Sequence, residues 1–435
     1  MAPGLPAAAH QTSANGGPSS ANTSRRRRPR RAHHETAAHG LPEYLYERYS
    51  LLGCPTGTAL LIDAHTGHEL SLADIQHSAD ALATSLVGRL GVRPGASIAV
   101  LSGANIDIPI VAVAAWTVCA SVVVLPPEVS VGELHGILTS EHLPQVFFVS
   151  SALLPVAQQT VAAIVSRASS TERPHFVVFD LDMGGPPLRD ADSRRSVHRI
   201  SDLYYMRPGS QPFARAPLTQ SEAETHTAVV YYYYQRNGDA LTIASSPVSH
   251  RNVIDHYNNS LRRSPSLPSR QSPPARRDAA PPDRPATPHT PPRRPAAGQS
   301  DTGADAGDRV QALAFAVQRP HAAFRLHRTM LNIFSLGARY VVAREFDPPL
   351  FAAAVARHTI ACAELTYAEI EMLSEYLRSA RATVVAQLAP LRLVYTESSE
   401  AEELLAAPLA ELLPRASIVR TRFGSYVEPL ARARS

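Results

Sequence analysis

The sequence predicts an α/β protein of two lobes, in which mostly parallel sheets are flanked by helices. Short apolar runs rich in β-branched residues alternate with longer segments whose apolar residues recur every three or four positions. This alternation is typical of parallel sheets that helices cover on both faces. Residues 261–308, rich in proline, arginine and serine, interrupt the alternation and separate the lobes. A chain of 435 residues is long enough for both.

The first lobe is predicted over residues 41–260. Its first strand is Ala59–Asp63, and a turn at Thr66-Gly67 leads to Ser71, the predicted N-cap of a helix. The apolar stripe of that helix runs from Leu72 to Leu90. Later strands are predicted at 98–101, 121–125, 146–149 and 176–179, with one helix before 121–125 and another from about residue 131.

One apolar stretch, residues 108–125, reaches the length of a short membrane span. Small and polar residues fill its middle, and Pro126-Pro127 closes it. This pattern favours a buried helix followed by a buried strand, so no membrane span is predicted.

The second lobe is predicted over residues 309–430. Its strand candidates are 310–317, 338–342, 360–365 and 391–395, with helices at about 325–336, 348–358, 366–382 and 399–413. The separating segment 261–308 is too polar and proline-dense to pack, so it is predicted to be a disordered insertion. Its Ser-Pro steps make it a candidate tract for docking a protein partner or for phosphorylation.

Residues 1–40 are predicted to be a disordered, arginine-rich tail. The run Arg25–Arg31 is consistent with a nuclear localisation signal, with a patch that binds an anionic surface, or with a solvated tail that carries no targeting signal. No acidic residue precedes Glu35, which leaves a mitochondrial presequence open, and Ala433-Arg434-Ser435 only weakly resembles a peroxisomal signal. Three widely spaced cysteines and no visible secretory signal favour an intracellular, cytoplasmic protein.

The charged residues exclude some chemistry. The formal net charge of +4 is too small to indicate a nucleic-acid partner. All 42 basic residues are arginine, and the chain has no lysine. Lysine-based Schiff-base or nucleophilic chemistry is therefore excluded.

The order of predicted elements over residues 228–253 is that of a nucleotide-binding segment. A β-rich run with four tyrosines, 231–234, leads into a predicted loop over 235–241, and Ser249-His250-Arg251-Asn252 is a predicted helix start. This order resembles the adenylate-forming superfamily of AMP-dependent synthetases and acyl-CoA synthetases, whose loop reads Ser-Gly-Thr-Thr-Gly-x-Pro-Lys-Gly. Further similar motifs extend the resemblance over about 41–428, at 66–75, 90–100, 122–127 and 337–348.

The resemblance implies a set of site residues. In the family the loop wraps ATP phosphates; here only Gly238 keeps its register, Asp239 replaces a threonine and Ala244 stands at the lysine position. Phe423 corresponds to an aromatic residue that stacks on adenine. The family's adenine-binding strip corresponds to residues 397–401, where its glycine turn is absent. The residual nucleotide-binding set is Gly238, Asp239, Phe423, Gly424 and Glu428, and the acyl-pocket residue is His321. ATP or AMP with magnesium is the implied cofactor, bound weakly, and neither a catalytic residue nor a metal site is predicted.

Two local patterns favour structural roles. Consecutive tyrosines in a strand alternate faces, so Tyr231–Tyr234 is predicted to be a buried strand rather than a platform for bases. Ser249 beside His250 is predicted to cap a helix rather than to act as a nucleophile.

The functional expectation is an acyl-CoA-synthetase-like pseudoenzyme that acts by binding an acyl or nucleotide ligand or a protein partner. One alternative is an active AMP-forming carboxylic acid–CoA ligase fragment that needs a second chain. The resemblance implies this alternative because the family's ribose-binding aspartate, hinge and C-terminal lid domain would follow Ser435. A second alternative is a truncated gene model without a selected function.

Overall fold

The computed structural model describes most of the chain between residues 40 and 420. The described residues are 40–140, 143–168, 173–179, 197–205, 211, 213–214, 217–237, 240–263, 313–317, 325–379, 382–396 and 399–420. All of them belong to one compact unit, Ala37–Ser435. The predicted tail 1–40 lies outside the described residues except for Gly40, and the predicted insertion 261–308 lies outside them except for 261–263.

The described residues form fourteen strands in two seven-stranded sheets. In chain order the strands are β1 (Ala59–Asp63), β2 (Glu69–Ser71), β3 (Ser97–Leu101), β4 (Ser121–Leu125), β5 (Val146–Val149), β6 (His175–Val178), β7 (Val197–Arg199), β8 (Thr227–Asn237), β9 (Ala240–Ser249), β10 (Leu313–Val317), β11 (Arg339–Ala343), β12 (Cys362–Glu364), β13 (Leu393–Thr396) and β14 (Ser417–Arg420).

Both sheets are mostly parallel. The first sheet has the order β7-β6-β5-β3-β4-β8-β9, and only β8 and β9 pair antiparallel in it. The second sheet has the order β14-β13-β12-β10-β11-β1-β2, and only β1 and β2 pair antiparallel in it. The predicted α/β class with mostly parallel sheets is confirmed.

Thirteen helices connect these strands within the described residues. They are α1 (Leu41–Ser50), α2 (Leu72–Gly88), α3 (Ile108–Thr117), α4 (Val131–Ser140), α5 (Leu154–Ala168), α6 (Ile200–Tyr204), α7 (Gln220–Thr225), α8 (His250–Arg263), α9 (Arg325–Leu336), α10 (Pro348–His358), α11 (Tyr367–Ser379), α12 (Ala382–Gln387) and α13 (Ser399–Leu412).

The two sheets share a central layer of helices. Along β4, Val122 and Val124 belong to a core that also holds residues of α1, α2, α3, α8 and α9, whereas Val123 faces α4 and α5. Along β11, Tyr340 belongs to the same central core, whereas Val341 faces α10, α11 and α13. Because neighbouring strand residues point to opposite faces, both sheets are covered on both sides and the layers alternate α, β, α, β, α.

Sheet membership does not follow chain order. Strands β1 and β2 come from the predicted first lobe, 41–260, yet they lie in the sheet formed by the strands after residue 312. The register of β1 on β11 pairs Leu61 with Tyr340. A local apolar pattern identifies a strand but carries no information about its neighbours, so the domain limits 41–260 and 309–430 stay a prediction.

The apolar stretch 108–125 is a helix and a strand, as predicted. Helix α3 is buried on all sides, and Cys119, in the left-handed region with φ 57°, turns the chain into β4. Among the described residues, no helix has the length and apolar character that crossing a bilayer requires.

Candidate functional site

The six residues that the resemblance implies for the site lie outside the described residues. They are Gly238, Asp239, His321, Phe423, Gly424 and Glu428. Their assignment stays a prediction. The strands that precede these residues in the chain, β8, β10 and β14, are described and constrain the backbone next to them.

The predicted nucleotide loop is a long antiparallel hairpin. Strands β8 and β9 pair from Thr227 opposite Ser249 to Asn237 opposite Ala240, with one register shift near Thr227. The prediction of a loop over 235–241 is therefore wrong, because only residues 238 and 239 separate the paired ends. The local sequence explains the hairpin, since Gly-Asp is a two-residue turn signal between two segments rich in strong β-formers.

The hairpin determines where the backbone N–H groups point. A phosphate-binding loop works because several consecutive N–H groups converge on one anion. In an extended strand, successive N–H groups point to opposite sides instead. Each of the residues 229–237 has a paired residue on β9, so this backbone has the ladder geometry and not the convergent one.

The tyrosine run has its first two side chains in the cores. Tyr231 is buried in the central core, and Tyr232 is buried in the core on the opposite face of the first sheet. The two rings therefore alternate as predicted for a buried strand, and they do not form a shared platform for stacking bases.

Helix α8 begins where the sequence predicts. The hydroxyl oxygen Oγ of Ser249 accepts a hydrogen bond from the backbone N–H of Asn252 at 3.2 Å, which is the geometry of an N-cap. His250 is buried, and its Nδ1 accepts the backbone N–H of Leu41 at 3.2 Å. The histidine therefore connects α8 to α1, and Ser249 has the predicted capping role.

The carboxyl ends of β13 and β14 lie next to each other at one edge of the second sheet. Strands β13 and β14 are parallel neighbours, and Thr396 at the end of β13 is opposite Arg420 at the end of β14. The predicted adenine strip, 397–401, follows β13 directly, and Phe423 comes three residues after β14. In open parallel sheets, ligands bind outside the carboxyl ends of the strands. Helix α13 begins at Ser399, within the predicted strip.

The carboxyl edges of the two sheets meet near Gly103 and Arg344. Gly103 comes two residues after β3, and a Cβ atom placed on it would lie 4.0 Å from the carbonyl oxygen of Arg344, which follows β11. The β3 loop also buries Asn105, whose Oδ1 accepts the N–H of Asp107 at 2.8 Å. Gly103, Asn105 and Arg344 were not among the predicted site residues, although each follows a buried strand by one to four positions.

Two described side chains of the second sheet, Cys362 and Asp63, offer little covalent or metal chemistry. Burial and the nearby Glu364 carboxylate raise the pKa of the Cys362 thiol to about 12, so the thiol stays protonated near neutral pH. The Asp63 carboxylate accepts the N–H groups of His65 and Thr66 and closes a turn. Within the described residues, no cluster of three or more histidine, cysteine or acidic side chains could hold a metal ion.

Comparison with known proteins agrees with this architecture. Residues 53–232 match the family described as AMP-binding enzyme. This part of the chain is similar to the adenylate-forming enzymes. Two curated relatives from Arabidopsis thaliana, the 4-coumarate–CoA ligase-like proteins 3 and 8, are 27% identical over 117 residues and 28% identical over 118. Each alignment covers 27% of this chain and only 21% of the relative, about a fifth of its length.

Solved adenylate-forming enzymes share the fold at low sequence identity. A luciferase-like enzyme from the mealworm Zophobas morio aligns with a TM-score of 0.59 at 13% identity, over 88% of this chain and 72% of that enzyme. A benzoate CoA ligase from Burkholderia xenovorans aligns with a TM-score of 0.58 at 13% identity, over 88% and 60% of the two chains. An anthranilate CoA ligase solved with anthranoyl-AMP has a TM-score of 0.58 at 14% identity, with the same coverage.

Proposed function

We propose that this relative of the adenylate-forming enzymes binds an acyl or nucleotide ligand or a protein partner without adenylating a carboxylic acid. The observation that carries the proposal is the β8–β9 ladder, which extends to Asn237 and Ala240 and leaves two residues between the strands. An anion would have to open several of these pairs before consecutive N–H groups could converge on it.

The residues of the hairpin support the same proposal. Ala244 stands at the position of the family's loop lysine and lies opposite Tyr233 in the ladder. Asp239 carries a negative charge at a position where the ligand's phosphates would also be negative. The match to the AMP-binding family ends at Tyr232, before the turn.

The magnitude of the loss argues against residual catalysis. Removing one electrostatic group that stabilises a transition state typically costs about 3 kcal/mol. Loss of three or four such groups of the family's phosphate-binding loop amounts to roughly 10 kcal/mol. This is comparable to the low end of the transition-state stabilisation that enzymes supply. Arg236 is the cation nearest in sequence to the turn; its planar guanidinium could contact phosphate but would have to reach there from before the turn.

Adenine binding needs less than catalysis does. Stacking on Phe423 requires only an aromatic face, and this residue follows β14 by three positions in the sequence. We therefore expect ATP and AMP to bind no tighter than roughly millimolar, about −4 kcal/mol, with magnesium adding little. Titration calorimetry of the full chain with Mg-ATP measures this affinity, and Phe423→Ala is the matched variant. Micromolar binding that Gly238→Ala abolishes would contradict the proposal.

Pyrophosphate exchange tests the alternative of an active ligase. We expect no exchange above background with acetate, medium-chain, long-chain or aromatic acids. Ala244→Lys sharpens the test: if the missing lysine were the whole defect, this variant would restore exchange, but a lysine within an intact ladder would not. Exchange by the wild-type chain that disappears in Arg236→Ala would mean that arginine has replaced the lysine, and the ligase alternative would then be correct.

A further inference from the structure

Two histidines lie side by side on β6 and β7 of the first sheet. His175 is the first residue of β6, and His198 is the central residue of β7. The register places His198 opposite Val177, two residues after His175, so both side chains belong to the same face of the sheet. Their ring centres are 5.5 Å apart, and the ring planes are inclined by 47°. Strand pairing therefore brings together two imidazoles that are distant in sequence.

Both imidazoles are neutral near neutral pH. Burial lowers the pKa of His175. Burial also lowers the pKa of His198, with smaller contributions from His175 and Arg89 that the Asp202 carboxylate opposes. A neutral imidazole has one nitrogen lone pair with which it can bind a metal ion. Among the described residues, the buried atoms His175 Nδ1 and His198 Nε2 have no hydrogen-bond partner.

The separation of the two rings suits a single metal ion between them. A zinc ion lies about 2.1 Å from a ligating nitrogen and therefore roughly 3.2 Å from the centre of the imidazole ring. At the tetrahedral angle, two imidazoles on one zinc ion have their ring centres about 5.2 Å apart. The observed 5.5 Å is within a few tenths of an ångström of this value, so little movement of either side chain is needed.

We propose that His175 and His198 together bind a divalent, late first-row metal ion, for which Zn²⁺ is the probe. Imidazole nitrogen suits zinc, copper and nickel ions. Within the described residues, no third histidine, cysteine or acidic side chain joins a metal-binding cluster, so water completes the coordination. The ion would join β7 to β6 at the end of the first sheet opposite the β8–β9 hairpin. The site is therefore independent of the proposed function.

Thermal unfolding of the untagged full chain with and without Zn²⁺ near neutral pH tests the proposal. An ion that binds only the folded state raises the unfolding temperature. We expect this rise for the wild type, and a zinc affinity at least about tenfold weaker, with the rise lost, in His175→Gln and in His198→Gln. His77→Gln is the matched control, since His77 is exposed on α2, and it should keep the rise. A wild type without the rise, or a rise that either of the first two variants keeps, overturns the proposal.

Chemical modification of the wild type locates the ion and does not depend on the folding of any variant. Diethyl pyrocarbonate reacts with the nitrogen lone pair of a neutral imidazole, and a bound metal ion blocks that lone pair. We expect mass spectrometry to show that Zn²⁺ lowers the modification of His175 and His198 several-fold and leaves that of His77 unchanged. Equal modification of His175 and His198 with and without zinc would mean that the two histidines are a packed pair only, and the proposal would be wrong.

Discussion

Ser71 shows how one residue determines the start of a helix. Its Oγ accepts the N–H of Asp74 at 3.2 Å, and Asp74 accepts the N–H of Ser71 at 2.8 Å. These reciprocal bonds form a capping box at the first turn of α2. The hydrogen bonds from Ser71 also lower the pKa of the Asp74 carboxyl, because they stabilise its charged form.

Removing the cap should destabilise the fold in a pH-dependent way. We expect Ser71→Ala to lower the free energy of unfolding by about 1 kcal/mol near neutral pH. Because the pKa of folded Asp74 is lowered from 3.8, its contribution is present above that value and is lost as pH falls through the folded pKa. Urea unfolding followed by circular dichroism at pH 7 and at low pH measures both effects.

Ser71→Thr keeps the capping oxygen and serves as the control. It should retain most of the stability that Ser71→Ala loses. An equal loss in both variants would show that packing around this buried position, and not the cap, determines the effect.

Among the elements, α10 has a strained end. Asp347 caps its start by accepting the N–H of Leu350, and the helix ends at Thr359 in the left-handed region with φ 54°. Side chains with a Cβ atom rarely adopt this conformation, which glycine takes at many helix ends. Thr359 is exposed, so its side chain contributes little packing to offset the strain.

Glycine at this position should stabilise the protein. We expect Thr359→Gly to raise the free energy of unfolding by about 0.5 kcal/mol, because relief of the left-handed strain exceeds the added entropy of the unfolded chain. Urea denaturation measures the change. Thr359→Ala keeps the Cβ atom and should bring no gain, so equal stability of the Gly and Ala variants would argue against strain at this helix end.

The hairpin is the element in which local sequence and family resemblance disagreed. The resemblance implied an open loop between the β-rich run and α8, whereas the Gly-Asp turn signal between β-forming segments was consistent with a hairpin. The paired strands follow the local signal. A resemblance carries the expectation of a loop only while the residues that hold it open are present, and here most of them have changed.

At the scale of the whole molecule, the central helices connect the two sheets. Tyr257 on α8 donates a hydrogen bond from its hydroxyl to the carbonyl oxygen of Leu331 on α9 at 3.1 Å. Trp116 on α3 donates its Nε1–H to the carbonyl oxygen of Ala228 at 2.9 Å, which fixes the start of β8. Both side chains are buried, so these contacts hold strands and helices that are distant in sequence.

Limited proteolysis tests the predicted organisation of the chain. We expect trypsin to cut first within residues 1–40 and 261–308, because arginine is frequent there and the composition does not favour packing. Mass spectrometry of the first fragments identifies the cut sites. Early cleavage inside 90–150 would contradict the predicted organisation, since β3, β4 and α3 bury that range in the cores.

The sequence by itself determined the elements whose cause is local. The Ser71 cap, the division of 108–125 into α3 and β4, and the bounds of β5 follow from residues within a few positions of each other. Helix α5 was missed, although its apolar residues bury the outer face of the first sheet. The predicted site residues were assigned through the resemblance alone, since no local pattern places a residue opposite a ligand.

Only the tertiary structure decided which strands are neighbours. Strand β1 lies beside β11, where Arg339 donates its Nε–H to the carbonyl oxygen of Ala59 at 2.7 Å across 280 positions of sequence. Nothing near β1 predicts that contact, because a strand buried on both faces has the same apolar pattern in either sheet. The faces that the central helices cover determine which sheet contains β1. The same arrangement brings the carboxyl ends of β3 and β11 together.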